Sequence, residues 1–157
     1  MTEETKAKIR RYNSNIENSG RAAIIFGLWT AIKIVLSVFL NVGNIKAEFG
    51  NDEYINEFVN MVYIVTVALA FALLLLHVYV GFCAIRYGRG NRKKKAFKIW
   101  AVLLGVISVF FIITDLGYGT SVEYDEIAEF LADSALLFIM IDLLYSMFMA
   151  KITIKRE

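Results

Sequence analysis

Four long apolar runs, separated by short polar connections, set the pattern of this chain. They lie at about residues 22–42, 59–85, 97–114 and 130–150. At a helical rise of about 1.5 Å per residue, each is long enough to cross a hydrocarbon core about 30 Å thick. The runs are apolar around their whole circumference. A soluble helix bundle, which keeps a polar face in water, does not fit them. The pattern predicts an all-α integral membrane protein with four transmembrane helices. Of the 157 residues, 58% are hydrophobic, and the spans use most of the length. One transmembrane domain, residues 1–157, is therefore expected, with residues 1–20 as a polar cytoplasmic segment. The connections are too short to fold as separate domains.

The charges are sorted along the chain, and this orients the spans. Lys6, Lys8, Arg10, Arg11 and Arg21 precede the first run. Arg86, Arg89, Arg92, Lys93, Lys94, Lys95 and Lys98 separate the second from the third, and Lys151, Lys155 and Arg156 follow the fourth. The other two connections are acidic, with Glu48, Asp52, Glu53 and Glu57 in one and Asp115, Glu123, Asp125, Glu126 and Glu129 in the other. The positive-inside rule places both termini and the middle connection in the cytoplasm, an N-in/C-in arrangement. The first run contains Lys33 and lacks a small-x-small cleavage site, so it reads as a retained span. Lys-, Ile- and Asn-rich usage without a possible disulfide (Cys83 is the one cysteine) suits the plasma membrane of a bacterium, its inner membrane. Cys83 reads as a small buried side chain.

The runs also repeat. An offset of 71 residues carries Arg21, Phe26, Trp29 and Ser37 onto Arg92, Phe97, Trp100 and Ser108. An offset of 72 carries Ile55, Glu57 and Phe58 onto Ile127, Glu129 and Phe130. The pattern predicts two tandem parallel hairpin repeats, residues 21–86 and 92–151, related by an axis along the membrane normal. With no proline in the chain, continuous helices are expected. Thr120 with Glu123 fits a capping box, and Asn51 or Asp52 can cap the helix before it. Ile9, Tyr12 and Ile16 among basic residues predict a short interfacial helix.

Candidate chemistry lies where the two halves differ. Lys33 and Asp142 fall near the middle of the first and last runs, where an ionisable group costs about 2.5–3.5 kcal/mol on insertion scales. Their matched depth predicts an intramembrane charged pair, either a buried bridge or part of an ion path. Thr30, Lys33, Ser37 and Asn41 line one side of the first span and predict an inward polar seam. Ala23, Gly27 and Ala31 form an adjacent small-residue face. His77 and Ser146 extend the seam from spans two and four. A hydrogen-bonded core histidine is the commoner role for a residue such as His77. Asp133, Asp115 and Asn60 sit near the outer ends and read as wet.

Glu53, Glu57, Asp125 and Glu129 occupy equivalent outer positions. They read either as solvated surface or as an acidic mouth that concentrates cations. The basic stretch Arg86–Lys98 lies between two spans, so topology and anionic lipid headgroups account for it, and nucleic acid does not. No phosphate loop, nucleophile elbow, His-Glu-x-x-His or zinc-spaced His/Cys set is present. No enzyme activity, metal or cofactor is expected.

Two functions remain. The first is a membrane scaffold or accessory subunit that assembles with itself or a partner by helix packing. The alternative is a small oligomeric ion channel or transporter that uses the Thr30/Lys33/Ser37/Asn41 seam with Asp142.

Overall fold

A computed structural model describes residues 2–49, 53–91, 96–117 and 124–155, with side chains at 2–40, 54, 56–91, 96–114 and 130–154. The described chain is all-helical: α1 is Glu3–Phe49, α2 Glu53–Gly88, α3 Phe97–Gly117 and α4 Tyr124–Lys155. All four helices are long and apolar enough to cross a membrane, which marks a multi-pass membrane protein. The caps expected at Asn51, Asp52 and Thr120 lie outside the described residues.

The helices outrun the apolar segments. At 47 residues, α1 is about 70 Å long, and α2, at 36 residues, is about 54 Å. The interfacial helix expected around Ile9, Tyr12 and Ile16 is instead the first part of α1, continuous with the first span. Ile9 and Ile16 do not face a membrane surface; both are buried inside the protein, Ile16 completely. A helix that continues without a break carries its apolar stripe onward, and here the stripe finds protein to pack on.

The chain divides into two compact units. Met1–Phe26 with His77–Glu157 forms the first, and Gly27–Leu76 forms the second. In the first unit, each helix buries one stripe with spacings of three and four residues. On α3 it is Phe97, Ala101, Leu104 and Ser108; on α4 it is Asp133, Leu136, Met140, Leu143, Met147 and Ala150. Such a stripe is the seam of helices packing side by side. Elsewhere the helices keep large apolar side chains exposed, Ile25, Ile99, Phe138 and Phe148 among them. In water this would be unstable; in lipid it is the expected surface.

The α1–α2 contact in the first unit is built on glycine. A Cβ added at Gly20 would lie 2.8 Å from the Gly81 carbonyl oxygen, and one at Gly81 would lie 2.6 Å from the Gly20 oxygen. Two turns towards the basic end, a Cβ at Gly88 would meet the Asn13 carbonyl at 2.7 Å. The two backbones approach as only glycine permits, which fixes the register of α1 against α2.

The end of α2 is closed by a Schellman motif. Gly90 has φ of 97°, its N–H donates to the Tyr87 carbonyl at 3.1 Å, and the Asn91 N–H donates to the Arg86 carbonyl at 3.0 Å. Tyr87 then meets Phe97 edge-on at 5.9 Å between ring centroids, and the Lys98 ammonium stands 5.3 Å over the Tyr87 ring. These contacts tie the end of α2 to the start of α3. In the second unit, Gly27, Thr30, Ala31, Val59 and Ala70 are buried, and most of the large side chains of α1 and α2 face outward.

Candidate functional site

Asp142 lies on the flank of the α4 stripe and is half-buried. Its carboxylate accepts a hydrogen bond from Ser19 Oγ of α1 at 2.8 Å, and Ser19 is itself buried. Asp142 falls near the middle of its apolar run, yet its partner Ser19 precedes the first run, which begins at Ala22. The carboxylate is therefore level with the basic end of α1's apolar segment. One turn further along α4 on the same face, Ser146 is fully buried, and its Oγ has no hydrogen-bond partner. Ser108, also buried, satisfies itself on the Leu104 carbonyl at 3.0 Å, the usual outlet for a helical serine.

Lys33 lies in the second unit and is half-buried. The two members of the expected charged pair thus belong to different units. Along the expected seam, Thr30 is buried, Ser37 is exposed, and the Asn41 side chain lies outside the described residues. His77 is buried in the first unit. Of the acidic set, Glu57 is exposed, and the side chains of Glu53, Asp125 and Glu129 lie outside the described residues.

Asp133 is a correction. It reads as a wet residue near a helix end, but it is 4% exposed. The signal that finds it is its phase: it occupies the first seat of the stripe continued by Leu136, Met140 and Leu143, so the helix that buries those residues turns Asp133 inward as well.

At the basic end, Glu17 gathers two arginines. Its Oε1 accepts from Arg21 at 2.6 Å and from Arg89 at 3.0 and 3.2 Å. The Arg89 hydrogen bonds hold the Glu17 carboxyl below its ordinary range; desolvation opposes them, and the charges of Arg89 and Arg21 add to them. Arg86, Arg89 and Lys151 are exposed at this end.

In the second unit, α1 and α2 enclose an open groove of about 330 Å³ with an entirely apolar lining. Ala31 and Ala70 line it and are buried, and Leu28, Ile32 and Phe71 stand beside them, exposed. Among the described residues no group of three or more His, Cys, Asp or Glu is placed to hold a metal. Comparison with protein-family models, with curated proteins and with solved structures finds no match.

Proposed function

We propose that this chain is a scaffold or accessory subunit of a bacterial plasma membrane, assembling with a second copy or another membrane protein through its transmembrane helices. The groove of the second unit carries this reading. Small alanines line it between large exposed apolar side chains, the shape that receives the ridge of another helix. The N-in/C-in orientation follows from the charge segregation. In that frame Arg86, Arg89 and Lys98 meet anionic headgroups, and the two hairpins descend from one duplicated unit. No catalytic role is proposed.

The test is association in lipid. The wild type, labelled separately with donor and acceptor, is reconstituted in liposomes at a series of dilutions. Ile32→Trp, which thickens one exposed wall of the groove, is expected to weaken self-association at least tenfold, a change of about 1.4 kcal/mol. If the wild type associates and Ile32→Trp matches it, the groove is not the interface. If the wild type does not associate at any dilution, the partner is a different membrane protein.

The second reading is a small ion channel or transporter, supported by the buried polar groups around Asp142. It predicts ion flux into liposomes from the wild type and its loss in correctly folded Lys33→Leu and Asp142→Leu. Absence of flux for common ions removes it.

A further inference from the structure

We propose that Asp142, Ser19 and Ser146 form a binding site for a small monovalent cation of the sodium class. Three observations converge. Asp142 is half-buried between apolar helices and, within its unit, has no ion-pair partner among the described residues. Its one hydrogen bond there comes from the Ser19 hydroxyl at 2.8 Å. Ser146, one turn along α4, turns a fully buried hydroxyl oxygen to no partner at all. A half-buried carboxylate between apolar helices is steadied by a compensating charge, and a buried hydroxyl needs a hydrogen bond or a ligand. One cation answers both needs.

The donor set selects the class of ion. A carboxylate and two hydroxyls are hard oxygen ligands, suited to hard cations and not to thiolate- or imidazole-seeking metals. A single carboxylate neutralises one positive charge. A divalent ion would leave a net charge in an apolar surrounding, where it costs most. Side chains four residues apart on a helix have Cβ atoms about 5–6 Å from each other, so an ion between them can touch both. Ser19 approaches from α1 and completes the set when its hydroxyl turns a lone pair to the ion. The site then clasps α1 to α4.

The site is separate from the choice between scaffold and transporter, so its test reads binding and not flux. Thermal unfolding of the full chain in detergent is followed in sodium chloride and in choline chloride at equal ionic strength. Sodium at about a hundred times its dissociation constant is expected to raise Tm by about 5–10 °C over choline. Ser146→Ala breaks no hydrogen bond and keeps the wild-type Tm in choline, but weakens the sodium response at least tenfold in concentration. Asp142→Asn removes the response. Equal melting of the wild type in both salts overturns the proposal, as does a full sodium response in Ser146→Ala. A sodium response without flux supports the site and removes the transport reading. Flux without a sodium response removes the site and keeps transport.

Discussion

Replacing Gly81 by alanine tests the packing of α1 on α2 most directly. The new methyl would lie 2.5 Å from Ile24 Cγ1 and 2.6 Å from the Gly20 carbonyl oxygen. Ile24 can change rotamer, but a helix backbone oxygen cannot move alone. Ordinary contact begins near 3.4 Å, so the two backbones must part by roughly 0.8 Å at this level. Overpacking of this kind costs about 1–3 kcal/mol, and a rigid obstacle puts it at the upper end. Alanine's better helix propensity returns about 1 kcal/mol. A net loss of about 2 kcal/mol remains, or about 4–8 °C in Tm for a chain of this size. Gly105→Ala is the matched control. Its methyl would meet Met140 Cβ at 3.8 Å, an ordinary contact, so propensity wins and Tm holds or rises. The assay is thermal unfolding of the three proteins in the same detergent, followed by circular dichroism. Gly20→Ala should behave like Gly81→Ala. The double variant should cost less than the sum, because one separation of the helices relieves both clashes. A Gly81→Ala protein as stable as wild type, or a Gly105→Ala protein equally damaged, would refute the reasoning.

Two further outcomes follow from the basic end. Gly90→Ala should lose about 1–2 kcal/mol, because φ of 97° is left-handed and an added Cβ meets nothing within 4 Å. Gly90→Asn should recover part of that loss, and equal melting of the alanine variant and wild type would show that the motif does not hold the end of α2. The Glu17 carboxyl, held below its ordinary range by Arg89, contributes stability above its unfolded pKa and loses it as pH falls through the folded value. Melting between pH 7 and pH 3 should therefore show an acid-sensitive component that Glu17→Gln lacks; identical acid sensitivity in both proteins counts against the Glu17–Arg89 tie.

Much of the architecture was legible in one dimension. Four helices, their approximate centres and their lipid-facing character follow from run length and all-round hydrophobicity. The small-residue face Ala23, Gly27, Ala31 was legible too, and all three residues are buried. The helix ends were less so. Amphipathic spacing at Ile9, Tyr12 and Ile16 fits a membrane surface or a protein seam equally well, and the choice depends on what lies opposite. Position along the run makes Asp133 read as wet, but its phase around the helix, shared with Leu136 and Met140, turns it inward. Ser19 was missed because a serine before an apolar run carries no signal until Asp142 arrives from 123 residues away.

The chain by itself determined its solvent. Runs of apolar residues of bilayer length suit lipid as helices, because backbone groups there must be satisfied internally and a helix does so within one segment. Tertiary structure alone decided the contacts among them. In lipid, apolar side chains gain little from choosing one neighbour over another, so hydropathy says nothing about which helices meet or at what level. Close backbone approach and polar partners make that choice. Here they are Gly20 against Gly81, Glu17 with Arg89, and Ser19 with Asp142. Each is a relation between residues far apart in sequence, fixed only when the helices are placed side by side.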